Sequence, residues 1–491
     1  MTETLDVVII GAGLSGIGAA CTLKRKAPWA KFAILEARGA LGGTWDLFRY
    51  PGLRADSDMF TLGYSFQPWT GADAIADGAS LLDYIRRTAE AFGVDKAIRF
   101  HTRVLGAAWD SQRGFWTLEA ETPDGRTHIA ARQIAVCAGY FRYDRAYVAD
   151  LPGLESFKGA VVHPQFWPEG FDYAGRRVLV VGGGATAVTL VPELAKTADV
   201  TLLQRSPAYV FSRPARAPLA DLLRRTLPAG AAHRIVRQTQ AVLWALICRW
   251  MRGNPAKAKA HLMGLAGKAL GPGIDLADFT PRHAPWDERL CIALDGDFFK
   301  AVREGRARVV SDRIATFTPE GVRTASGRFL AADVVVTATG LEMNWLGDLA
   351  LTVDGERIEI ASRRLYKGCM YEGVPNLVSL FGYVNSSWTL KVEMIAGYLC
   401  GLMNFMHAKG YSSATPPMAG GVGEAPLTGF SPGYVQRARP LLPRQGAREP
   451  WRLHQDYLRD LRQLRLGRID DGVLRFQRFP LGAAHANGLP P

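Results

Sequence analysis

Two short stretches constrain this chain more than anything else in its 491 residues. VVIIGAGLSG at 7–16 and VLVVGGGATA at 178–187 each run from four apolar residues straight into a glycine-rich turn. A continuously apolar strand is one buried on both faces. A turn of this kind after it leads into a helix that packs back on the strand, so each stretch reads as the start of a βαβ unit. Gly11, Gly13 and Gly16 form GxGxxG, and Gly182, Gly184 and Ala187 form GxGxxA. The first glycine of each set permits the turn, the second lets the backbone approach a pyrophosphate, and the third lets helix and strand lie close. The helix N-terminus then faces the anion. The expected fold class is α/β, with two Rossmann-like dinucleotide-binding domains and an inserted helical segment.

The strand beyond each turn separates the two ligands. The strand FAILE ends at Glu36, 20 residues past Gly16. A carboxylate there accepts hydrogen bonds from ribose hydroxyls. The strand VTLLQRS at 200–206 ends instead in Gln204, Arg205 and Ser206. Arg205 would pair with a 2′-phosphate that an acid would repel. One site for ribose hydroxyls and one for a 2′-phosphate imply FAD plus NADPH, with hydride passing between the two rings. The ATG at 338–340, after the strand DVVVT, marks the return of the chain to the flavin domain.

Composition removes several alternatives. Cys21, Cys137, Cys248, Cys291, Cys369 and Cys400 include no CxxC pair, so neither a disulfide reductase nor a zinc site is expected, and no metal site is assigned. Such cysteine usage fits the cytoplasm. No uncharged apolar run reaches the roughly 18 residues needed to span a bilayer. The net charge of +13 is concentrated in 213–270, which holds eleven Lys or Arg and one acid, Asp221. Without aromatic interleaving on a known module this does not indicate nucleic-acid binding. It reads as a solvated basic face. AVLWALICRWM at 241–251 reads as a helix packed in the core, with weak peripheral contact at the inner membrane face as the alternative.

FKGAVVHPQFWP at 157–168 carries Phe157, Gly159, His163, Trp167 and Pro168 at the spacing FxGxxxHxxxWP. This resembles the signature of Baeyer–Villiger monooxygenases. LGGTWDLFRYPGLRADSDMFTLGYSF at 41–66, PWDERLC at 285–291, GYVNSSWTLK at 382–391 and PWRLHQDYLRDLRQLRLGRIDD at 450–471 are similar to the subgroup typified by the mycobacterial ethionamide-activating monooxygenase. The resemblance implies an enzyme that inserts one oxygen atom from O2 into small apolar ketones, giving esters or lactones. It implies oxidation of sulfides or thioamides as well, both through a C4a-peroxyflavin. It assigns catalytic roles to Arg289 and its partner Asp56. It adds Gly43, Thr44, Trp45 and Val104 to the flavin site and Thr186 and Ser206 to the nicotinamide site. Phe157, Gly159, His163 and Trp167 become couplers of domain motion. Glu288 stands where many relatives have a Lys that reads the 2′-phosphate, which leaves Arg205 with most of that task. Two other functions remain open: a monooxygenase confined to nitrogen and sulfur, and a redox sensor that binds both dinucleotides without oxygen transfer.

The expected domain order is flavin domain 1–150, linker 151–169, NADPH domain 170–212, helical insert 213–290, NADPH domain again 291–335 and flavin domain 336–491. The Gly- and Pro-rich stretch 407–429 is expected to be a mobile surface loop.

Overall fold

A computed structural model describes residues 3–479. Both glycine turns sit where the apolar runs require, at the ends of central strands of two separate sheets. Thr4–Ile10 pairs in parallel with Phe32–Leu35 on one side and Gly125–Val136 on the other. Ile98–Arg99 extends this parallel layer beyond Phe32–Leu35, and Leu377–Ser379 extends it beyond Gly125–Val136. The first half of Gly125–Val136 instead pairs antiparallel with Phe115–Thr122, which pairs in turn with Arg103–Asp110, and Ala350–Val353 and Glu356–Arg357 complete the nine-stranded sheet.

The second sheet has five parallel strands in the order Ala307–Ser311, Asp199–Gln204, Arg177–Val181, Val334–Thr337 and Ala160–Val162. Its last strand comes from the segment read as a linker, so 160–162 belong to the second sheet. The pairing of Val334 with Ala160 and Val178 explains why VVV at 334–336 is wholly apolar: all three Val are fully buried.

The two halves share one construction. A Cβ on Gly11, at φ +103°, would lie 2.7 Å from the Cys137 carbonyl oxygen; one on Gly182, at φ +144°, would lie 2.2 Å from that of Ala338. Each turn thus presses against the end of a neighbouring strand, CAG at 137–139 in one sheet and ATG at 338–340 in the other. Gly16 is tighter still, its Cβ falling 1.9 Å from the Gly11 oxygen. Gly16→Ala should therefore push the helix Leu14–Lys26 off the turn and weaken FAD retention about tenfold or more, read as the flavin-to-protein absorbance ratio after purification.

The basic segment folds as three helices, Pro218–Thr226, Ala229–Gly253 and Pro255–Leu270. Pro218 and Pro255 occupy first-turn positions, where a missing N–H costs nothing, and Pro228 precedes the long helix. Arg237 anchors that helix. Its guanidinium donates to the carbonyls of Phe60 (2.9 Å), Thr61 (3.0 Å) and Gly63 (2.6 Å) and to Glu393 (2.5 Å). Within 407–429, Ser413–Thr415 pairs with Arg475–Gln477 and Ala425–Pro426 with Arg444–Gln445, so this stretch is tied into two small sheets.

Candidate functional site

A single cavity of about 1480 Å³ runs from the first glycine turn to the second. Ligand sites for one small molecule measure about 300–1,000 Å³, so this one has room for two dinucleotides. Gly11, Gly13, Glu36, Gly43, Thr44, Trp45, Asp56 and Val104 line one end. Gly182, Gly184, Thr186, Arg205 and Ser206 line the other, and Arg289 stands on the wall as well.

The first end is a cradle of close-packed backbone. A Cβ on Gly13 would be 3.6 Å from the Gly43 Cα, and Gly43 itself is at φ +57°. Thr44 is fixed by a 2.7 Å hydrogen bond between its hydroxyl and that of Tyr143. Glu36 accepts from the Ala12 N–H at 2.7 Å and the Arg38 N–H at 2.9 Å. Burial pushes its carboxyl above the usual range, and these donors pull back toward the carboxylate. Glu36 thus braces the turn and still lines the cavity with lone pairs to spare. Gly184 is the N-terminal cap of the helix Ala185–Leu194, and a Cβ there would meet nothing within 4 Å. The cradle at each end fits an extended diphosphate against a helix N-terminus. Ala187 is fully buried on that helix and does not line the cavity. Its role is the close packing that its place in GxGxxA demands.

Asp56 and Arg289 meet at 2.8 Å, their side chains 37% and 31% exposed. Removal from water alone would make the Arg289 guanidinium less basic. Asp56, Tyr140 and Tyr434 outweigh it and hold the group above its ordinary pKa, so it stays cationic. The sequence RADSD places Arg54, Asp56 and Asp58 at alternate positions, and each takes a different partner. Arg54 pairs with Asp297, Asp56 with Arg289, and Asp58 with Arg213 at 2.8 Å. One extended segment of the first unit is thereby fastened to three points of the second unit and the insert.

Several lining residues were not singled out from the sequence. Tyr140 stacks on Trp388 with ring centroids 5.1 Å apart, and Trp388 donates to the Ser15 hydroxyl at 2.8 Å. Tyr434, Arg437 and Arg313 also line the cavity. The signal for Tyr140 was available: CAGY at 137–140 succeeds an apolar strand just as ATG does. Arg437 and Tyr434 arrive from a distant surface segment with no local motif. Cys137 and Cys291 reach the cavity, but burial pushes both thiols up, Cys291 to about 12, so neither is a thiolate near neutral pH.

Phe157, Gly159, His163 and Trp167 do not line the cavity. Phe157 is buried against the second sheet and meets Phe317 edge-on at 6.2 Å. A Cβ on Gly159 would be 2.3 Å from the Asp333 oxygen. His163 accepts from the Gln165 N–H at 3.2 Å, and Trp167 packs edge-on against Phe171 and Tyr173. Gln165 in turn donates to the Arg142 carbonyl at 2.8 Å, beside the cavity-lining Phe141 and Tyr143. The motif is thus packed between the second sheet and one wall of the cavity.

A model of the flavin-binding monooxygenase-like family matches residues 74–224, and one of the NAD(P)-binding Rossmann-like domain matches 9–70. FAD-containing monooxygenase EthA of Mycobacterium tuberculosis is 44% identical over 484 residues, 98% of this chain and 99% of that protein. The chain belongs to the FAD-containing monooxygenases. A second member from the same organism, the putative FAD-containing monooxygenase MymA, is 44% identical over 486 residues, 97% of this chain and 98% of its own length. Among solved structures, a steroid monooxygenase bound to NADP is similar with a TM-score of 0.69, at 24% identity over 84% of this chain and 88% of that one. This flavin monooxygenase therefore shares its fold with a structure that holds NADP. It is an FAD-dependent enzyme that uses NADPH.

Proposed function

We propose that this monooxygenase inserts one oxygen atom from O2 into small apolar ketones, giving esters or lactones, and oxidises sulfides and thioamides at the same site. The Arg289–Asp56 pair carries this reading, because it places a fixed cation on the wall of the cavity that both glycine turns open into. The chemistry that FAD supplies when bound is acceptance of hydride from NADPH and activation of O2. Arg289 stabilises negative charge on oxygen during transfer to the carbonyl, and its cation is already in place when that charge develops. Asp56 keeps the guanidinium aimed. Tyr140 and Trp388, stacked on one another, exclude water and give an apolar substrate a flat wall. The test is product analysis by mass spectrometry after incubating FAD-loaded enzyme with NADPH, air and a panel of ketones and thioethers. An ester or lactone supports the reading; oxidised sulfur with no ketone converted would favour the enzyme confined to nitrogen and sulfur.

At the other end of the cavity, Gly182, Gly184 and Thr186 hold the diphosphate of NADPH and Arg205 holds its 2′-phosphate. Arg205 is exposed beside Ser206, and Arg313 lines the same region. Glu288, 3.9 Å from the His283 ring, adds an acid to this wall. A charge-assisted hydrogen bond is worth about 1.5–3 kcal/mol, so Arg205→Ala should raise the KM for NADPH about 10- to 100-fold and leave that for NADH nearly unchanged. Equal effects on both would remove Arg205 from phosphate recognition.

Phe157, Gly159, His163 and Trp167 couple movement of the second sheet to the cavity wall. Burial lowers the pKa of His163, and burial followed by the Arg237 charge lowers that of His233. Below the ordinary His value of about 6.5, the unfolded chain takes up protons that the folded chain refuses. Folding stability should therefore fall as pH drops from 7 through 6. Thermal unfolding across that range should show a shallower fall for His163→Gln and His233→Gln. Unchanged slopes would mean that neither imidazole is held neutral. The six cysteines are all free and buried, which supports placement in the cytoplasm.

A further inference from the structure

No helix among the described residues is long and apolar enough to cross a membrane. The helical insert nevertheless has an outer surface unlike the rest of the molecule. Seventeen large apolar side chains are exposed among the described residues, and seven of them lie within 213–270. Four line one face of the helix Ala229–Gly253 at helical spacing: Ile235 (46% exposed), Leu243 (49%), Leu246 (49%) and Trp250 (44%). The neighbouring helices add Leu219 and Leu222 on one side and Leu265 on the other.

Charge accompanies this ridge. The same segment holds one of the chain's 46 acids. Arg237 and Arg249 are used internally, on Glu393 and Asp456. Arg225, Arg234, Arg252, Lys257 and Lys268 are exposed and have no carboxylate within salt-bridge distance among the described residues. An apolar ridge ending in Trp and flanked by unpaired cations is suited to the boundary between headgroups and acyl chains. A second copy of the chain would bring the same positive charge to the contact and be repelled.

We infer that the insert is a docking surface for an anionic lipid bilayer, with Ile235, Leu243, Leu246 and Trp250 entering the boundary layer. The opposite side of the same helix reaches the catalytic unit. Trp244 donates to the Asn385 carbonyl at 2.9 Å and meets Trp286 edge-on, three residues before Arg289. An apolar substrate dissolved in the bilayer would therefore leave it close to the cavity.

Vesicle co-sedimentation tests this with the FAD-loaded enzyme. The wild type should pellet with phosphatidylglycerol-containing vesicles at low salt, pellet less as salt rises, and stay in solution with phosphatidylcholine alone. Leu243→Glu/Leu246→Glu/Trp250→Glu should weaken that binding about tenfold or more while flavin content and NADPH oxidation in solution stay at wild-type levels. Arg234→Glu/Arg252→Glu, which leaves the ridge intact, should weaken it too. Failure to pellet with either vesicle would overturn the inference and leave this face to an acidic protein surface. Equal binding by wild type and both variants would overturn it as well, by placing the lipid contact elsewhere.

Discussion

Replacing Arg289 with Ala is expected to remove ketone oxygenation almost entirely while NADPH is still oxidised at a measurable rate. The guanidinium lies 2.8 Å from Asp56, among Tyr140 and Tyr434, and these neighbours keep it cationic despite its loss of water. Removing one preorganised donor to a developing oxyanion costs about 10²–10³ in kcat. The proposed NADPH site is the half of the cavity lined by Gly182, Gly184 and Arg205, away from Arg289, so NADPH consumption should survive and appear as hydrogen peroxide. Asp56→Asn should be milder, because the cation remains and only its aim is loosened. Paired assays of ester formation and NADPH loss read the difference. Equal loss of both in Arg289→Ala would make Arg289 a residue of NADPH binding.

The second large effect falls on stability, at a buried pair that does not line the cavity. Lys391 and Asp460 are 1% and 2% exposed, and their charged atoms lie 3.4 Å apart. Neither Lys391 Nζ nor Asp460 Oδ2 makes a hydrogen bond among the described residues, so the ion pair is the only polar contact of each. Lys391 is one turn into the helix Trp388–Lys409, whose first residue lines the cavity, and Asp460 ends the short helix Tyr457–Asp460. Asp460→Ala leaves a buried ammonium without a counter-charge, which costs about 3–5 kcal/mol. Its unfolding midpoint should drop by several degrees. Lys391→Met/Asp460→Leu should recover most of the loss, because an apolar pair of similar volume carries no desolvation cost. Destabilisation of the double variant to the level of Asp460→Ala would show that packing, not the unpaired charge, sets the effect.

These two sites were unequally visible in the sequence. Gly11, Gly16 and Gly182 declare themselves because backbone atoms crowd their missing side chains, and that requirement is local. The strands around them are legible for a related reason: parallel strands covered on both faces leave apolar runs such as VVIIG and VVVT. Arg289 and Asp56 were found only through resemblance, since nothing in ERLC or RADSD distinguishes a catalytic pair from a surface ion pair. The alternation of Arg54, Asp56 and Asp58 became meaningful only once three separate partners stood opposite them. Lys391 and Asp460 carry no local signal at all, because their pairing is made by folding the C-terminal segment over a distant helix. The segment 151–169 read as a linker because Ala160–Val162 is short and succeeds polar sequence, yet an edge position in the second sheet takes it up. The 407–429 stretch has loop composition, and its strand pairings come from partners at 444–445 and 475–477.

Every role assigned to the cavity depends on one event, the transfer of one oxygen atom from O2 to a bound apolar substrate. Turnover of FAD-loaded enzyme with NADPH and a ketone under ¹⁸O₂ measures that transfer most directly. One labelled oxygen in the ester or lactone for each molecule formed, with the label lost in Arg289→Ala, is the predicted result. Steady NADPH loss that yields only labelled hydrogen peroxide, with every ketone and sulfide in the panel recovered unchanged, would contradict it.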